Sequence, residues 1–193
     1  AYSQTHPDRC QGLILRGIFM LRQKEISWFY QEGASYIFPD AWEEYVKPIP
    51  IDERDDMLNA YYKRLTSPDA QIRLEAARAW SIWEASTSRL FPDLDLKQRF
   101  GVDTFAEAFA RIECHYFINQ GFLEPEDQLL LNVNKIRHIP AVIVQGRYDV
   151  VCPMMSAWEL HRAWEEAELI VVPDAGHSMS EPGIRSALIE ATD

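Results

Sequence analysis

Two kinds of hydrophobic patterning divide the chain. Gly12-Leu13-Ile14-Leu15-Arg16-Gly17 is a short apolar run closed by glycines, the pattern of a strand buried on both faces of a parallel sheet. The same kind of run returns as Ala141-Val142-Ile143-Val144-Gln145 and as Leu169-Ile170-Val171-Val172. Between those two, residues Met154 to Trp164 follow a helical spacing with Pro153 near the first turn, where helix starts favour proline. Strand, helix, strand predicts a βαβ crossover in a parallel sheet, with function at the carboxyl ends of the strands. From about 18 to 134 the pattern changes to one rich in Trp, Tyr, Phe, Glu and Ala without a clear strand. Ser67-Pro68-Asp69 reads as an N-cap, an N1 proline and an acidic first turn for a helix through Trp83, its apolar side formed by Ile72, Ala76, Ala79, Trp80 and Trp83. Asp103 is expected to cap a second helix, with Phe105, Phe109, Ile112 and Tyr116 on one face and an end near Gly121. The fold class expected is α/β: the end of a helix and one sheet strand in 1–17, an all-helical insertion over 18–134, and further strands and helices of the same sheet layer over 135–193.

Composition narrows the function. With 193 residues, 47% of them hydrophobic, the chain can bury a sizeable core. A net charge of −11 argues against nucleic acid or an anionic membrane as partner, because phosphate binding needs clustered Lys and Arg. A small cationic substrate suits that charge, although surface acidity also serves solubility. Cys10, Cys114 and Cys152 form no C-x-x-C pair, so neither a disulfide framework nor a zinc site is expected and a reducing, cytoplasmic setting is the simplest reading. No apolar run approaches the roughly 20 residues of a membrane span, and residues 1–7 do not have the character of a signal peptide.

The strand ends carry the chemistry. Asp149 follows the 141–145 run, and His177, inside Gly176-His177-Ser178, follows the 169–172 run. An aspartate and a histidine in that order match the last two members of the Ser…Asp…His triad of α/β-hydrolases. In that role Asp149 would fix the imidazole tautomer and His177 would act as general base and then general acid. Singly, each also fits an ordinary capping Asp and a histidine in a glycine-bounded turn. No G-x-S-x-G turn for a serine nucleophile occurs in the chain, which leads to the expectation that this is the C-terminal portion of an enzyme, inert without the rest.

Two glutamates of the insertion fall among aromatics. Glu113 lies four residues after Phe109, and Glu84 four after Trp80, beside Trp83. A carboxylate in apolar surroundings must be paired or neutralised, either by a salt bridge to Arg78, Arg89 or Arg111 or by a ligand cation. Cys114 and His115 beside Glu113 are a weak metal set, since adjacent helical residues point in different directions; neither metal nor cofactor is expected.

Longer stretches resemble the prolyl aminopeptidase (proline iminopeptidase) family: 12–19, Trp28-Phe29-Tyr30-Gln31-Glu32-Gly33-Ala34, Trp80-Ser81-Ile82-Trp83-Glu84, 110–117 and 139–149. The resemblance runs from end to end and includes the insertion. It implies the C-terminal part of an α/β-hydrolase parallel sheet with a helical cap, and a serine exopeptidase acting on peptides with a free N-terminal proline. By position it implies Asp149 and His177 as triad acid and base, Glu84 and Glu113 as the groups that hold the substrate's amino terminus, and Arg16, Phe19, Trp28 and Phe29 around the proline pocket. Phe29 stands where related sequences often carry tyrosine. Another capped hydrolase, such as an epoxide hydrolase or esterase, and a non-catalytic peptide-binding module of the same fold are the alternatives.

Overall fold

A computed structural model describes residues 1–192. Three strands, β1 (Leu13–Arg16), β2 (Ala141–Gly146) and β3 (Glu168–Val172), form one parallel sheet in the order β1-β2-β3. Leu13 is in register with Ala141, and Val142 with Glu168. The helix Met154–Ala163 makes the β2–β3 crossover, and Pro153 is its N-cap residue.

Alternation along β2 explains why the strands are apolar throughout. Ala141 and Ile143 face a cluster with Ala157, Leu160 and Trp164, while Val142 and Val144 face Val172, Ile184 and Ala187. Both faces of the sheet are thus covered, the second by the helix Pro182–Glu190, so neither face needs polar positions.

The chain divides into two compact units. The sheet unit takes residues 1–22, 88–90 and those from 123 onward; the helical unit takes 23–87 and 91–122. These limits differ from the expected 18 and 134. Ile18, Met20 and Val133 belong to the apolar cluster on the sheet, and residues 88–90 hydrogen-bond to the loop around His177.

The helical unit is built on Gln23–Tyr30, Pro39–Val46, Met57–Leu65, Ala70–Thr87, Leu94–Phe100 and Asp103–Ile118. Its centre is aromatic: Tyr45 stacks on Tyr61 with centroids 4.6 Å apart, and Trp80 lies edge-on to Tyr61 at 5.2 Å. Two helix starts differ from expectation. The long helix begins at Ala70, with Asp69 accepting from the Gln71 N–H at 2.8 Å and Ser67 Oγ accepting from the Asp69 N–H. Val102 occupies the N-cap of Asp103–Ile118, and the Asp103 carboxylate instead pairs with Arg78 at 2.6 Å. The buried face of that helix is Ala106, Ala110, Cys114 and Phe117, whereas Phe105, Ile112 and Tyr116 are exposed. The small residues allow close packing against Ala76, Ala77 and Ser81 of the long helix, where Ser81 Oγ donates to the Ala106 carbonyl. Among the described residues, no helix is long and apolar enough to cross a membrane.

Candidate functional site

In the sheet unit, Asp149 lies three residues past β2 and is buried. His177 Nδ1 donates to Asp149 Oδ2 at 2.9 Å; an ionised carboxylate only accepts, which places the proton on Nδ1 and leaves Nε2 for chemistry. The Asp149 carboxylate is fixed from two further sides. Its Oδ1 accepts from the Cys152 N–H at 2.8 Å, and its Oδ2 accepts from Gln145 Nε2 at 3.0 Å. Gln145, fully buried at the end of β2, also donates to the Cys152 carbonyl and accepts from the Ile18 N–H at 3.1 Å. One amide thereby ties β2, the Asp149 turn and the segment after β1.

The His177 loop is equally committed. Its N–H donates to the Ser88 carbonyl at 3.1 Å, and its own carbonyl accepts from Arg16 Nη1. Two glycines make the approach possible. At Gly17, φ is +57°, and a Cβ would stand 2.9 Å from His177 Cε1. At Gly146 a Cβ would stand 1.9 Å from the Gly176 carbonyl oxygen, so the ends of β2 and the histidine loop meet only because no side chain intervenes. Arg16 thus engages the histidine backbone. Arg16 and Phe19 both line a cavity of about 280 Å³ with Leu13, Leu15 and Met20.

In the helical unit the two glutamates are joined through a ring stack. Tyr30 stacks on Trp80 with centroids 4.3 Å apart and planes 19° from parallel. The Tyr30 hydroxyl donates to Glu84 Oε1, and the Trp80 indole N–H donates to Glu113 Oε2 at 2.9 Å. Burial, followed by the charges of Glu84 and Glu113, pushes the Tyr30 phenol well above its ordinary range, so it remains a donor. Burial raises Glu113 to about 7, opposed by the Trp80 hydrogen bond. Glu84 is buried and Glu113 half-buried. Of the arginines considered as partners, Arg78 pairs with Asp103 and Arg111 with Glu107.

The remaining expected residues are in the same unit. Phe29 is buried against Tyr30 and Trp83, and its carbonyl accepts from the Trp83 indole at 3.2 Å. Trp28 is half-buried next to Gly33. Burial and the Glu113 charge push the Cys114 thiol up to about 12, so it is not a thiolate ligand, and among the described residues no group of three His, Cys, Asp or Glu side chains could hold a metal ion.

Tyr30, Gln145 and Glu181 escaped the sequence reading as site residues. Gln145 had a visible signal, a polar residue closing an otherwise apolar strand; Tyr30 and Glu181 are defined by tertiary contacts that no spacing announces.

A model of the alpha/beta hydrolase fold family matches residues 1–183. Across its whole length the chain is 72% identical to a probable proline iminopeptidase of Leptolyngbya boryana, covering 60% of that protein. It is 58% identical to the proline iminopeptidase of Arabidopsis thaliana, covering 51%, and 46% identical to that of Neisseria gonorrhoeae, covering 61%. The chain therefore spans between about half and 62% of the length of the curated relatives it matches. A parallel sheet covered on both faces, an Asp and His at successive strand ends, and a match to residues 1–183 lead to one conclusion: the chain belongs to the alpha/beta hydrolase fold family.

Proposed function

We propose that the protein is a serine exopeptidase that releases N-terminal proline from peptides. The observation that carries this reading is the pair of carboxylates, Glu84 and Glu113, tied to one Tyr30–Trp80 stack. Two acidic groups in an aromatic setting suit a substrate that brings a positive charge, such as the secondary ammonium of a terminal proline. The names of the relatives point to the same substrate class.

In this reading Glu84 and Glu113 pair with the substrate's ammonium, while Arg16, Phe19, Trp28 and Phe29 belong to the proline pocket. Catalysis begins when His177 Nε2 takes the proton of a serine hydroxyl as that oxygen attacks the prolyl carbonyl. Asp149 stabilises the imidazolium that forms. His177 then gives the proton to the departing amine, leaving a prolyl ester on the serine. Water repeats the sequence: His177 removes its proton as it attacks the ester, then gives that proton to the departing serine oxygen, and proline leaves. No G-x-S-x-G turn occurs in these 193 residues, so the proposed nucleophile lies outside them and the chain by itself is expected to be inert.

The pairing also sets the cleavage point. An internal or acylated proline brings no ammonium to these carboxylates and so lacks the charge that the site is proposed to recognise. Glu113→Gln should cost about 2–5 kcal/mol in transition-state binding, the usual effect of removing one partner of a desolvated charge pair. The test assays the full-length protein on prolyl-naphthylamide, its N-acetylated form and a neutral acyl ester. Cleavage of the first alone is expected. Hydrolysis of the ester with no prolyl activity would instead support the esterase reading, and full prolyl activity in Glu113→Gln would reject the role of that carboxylate.

A further inference from the structure

Glu181 lies four residues after His177 at the start of the helix Pro182–Glu190, with only 7% of its surface exposed. Its carboxylate accepts four hydrogen bonds from three main-chain N–H groups. Gly176 donates to both oxygens, at 3.0 and 3.2 Å, while Ser178 and Leu90 each donate at 3.2 Å. The Glu181 N–H in turn donates to the Ser178 carbonyl at 3.1 Å. Gly176 and Ser178 are the two neighbours of His177, so one side chain holds the peptide on either side of the imidazole. The same side chain joins that loop to residues 88–90, which also receive the His177 and Ser178 N–H groups on the Ser88 carbonyl.

We infer that Glu181 is a positioning residue for the base: it fixes the loop backbone so that His177 Nδ1 meets Asp149 and Nε2 is held for the nucleophile. This inference rests on the reading of His177 as general base. A carboxylate suits the task because it accepts on both oxygens and donates nothing. A glutamine of the same length offers one acceptor oxygen and turns an NH₂ toward the remaining N–H donors. The loop then shifts, and an ångström of misplacement is enough to cost catalysis heavily.

The experiment compares Glu181→Gln and Glu181→Asp with the parent in the full-length protein. Two quantities are read: the low-field Nδ1 proton resonance of His177 in the resting protein, and kcat and KM per active site titrated with a serine-directed phosphonate. Glu181→Gln should lose or broaden the resonance and drop kcat per titrated site by about 100-fold with KM changed less than twofold, and Glu181→Asp, keeping the charge, should recover part of both. A parent-like resonance and parent-like kcat per titrated site in Glu181→Gln, even with a lowered melting temperature, would overturn the inference and leave Glu181 a purely structural residue. Should the Gln variant not fold, Glu181→Asp decides on the same readouts: an intact resonance and rate overturn the inference, and a weakened resonance with reduced kcat supports it. Because the resonance is read without substrate, absence of prolyl hydrolysis in the parent would count against the proposed function alone.

Discussion

At the residue scale, the two acidic centres differ in how they are held. Asp149 accepts from a peptide N–H, an amide and an imidazole. Asp149→Asn would present an amide that stabilises the wrong imidazole tautomer, and kcat of the full-length protein should fall about 10⁴-fold with little change in KM. Glu113 has one donor, Trp80, against a large burial penalty that raises it to about 7 from 4.5. Because the folded protein holds this proton more tightly than the unfolded chain, the penalty is absent below pH 4.5, grows as the unfolded form ionises first, and is complete above pH 7. It amounts to about 3 kcal/mol. Urea unfolding should therefore show stability falling with rising pH across that window, and Glu113→Gln should flatten the slope and exceed the parent in stability above it. Trp80→Phe keeps a ring but removes the donor, so the window should move upward. That Glu84 and Glu113 sit among aromatics was legible from their spacing to Trp80 and Phe109. The Tyr30–Trp80 stack joining them was not, because it brings together residues from separate helices.

At the element scale, the strands were legible because a doubly covered sheet leaves an uninterrupted apolar run, and both clusters on β2 account for each position. The buried face of Asp103–Ile118 is not the one its aromatics point to, because large rings suggest a core by size alone. Tight packing on the Ala70–Thr87 helix selects small residues instead. The helix starts two residues after the cap that Ser67 suggests, because Ser67 and Asp69 both accept from the local backbone and only the second lies at the helix start. Gly146 tests the join between β2 and the histidine loop. Gly146→Ala sets a methyl group against a backbone carbonyl that cannot move aside as a side chain would, and should cost about 3 kcal/mol, the upper range for overpacking. Thermal unfolding measures that loss, and the His177 low-field resonance should weaken in the same variant.

At the scale of the whole molecule, the sheet and the helical unit draw on different kinds of contact. The helical unit gathers its aromatic centre from neighbouring helices. The sheet has β1 and β3 at its edges among the described residues, and Ile14 on β1 is 40% exposed. An open apolar edge of this kind recruits other chains, so the 193-residue polypeptide on its own should associate in light scattering, and Ile14→Lys should reduce that association. The register Leu13↔Ala141 has a further consequence for biosynthesis. On the ribosome, β1 emerges long before its partner, whereas the helices that follow it already have most of theirs. Nonlocal pairing is slow and local pairing fast, so the inserted helices should condense first, and β1 must wait as an unzipped half until β2 has been translated.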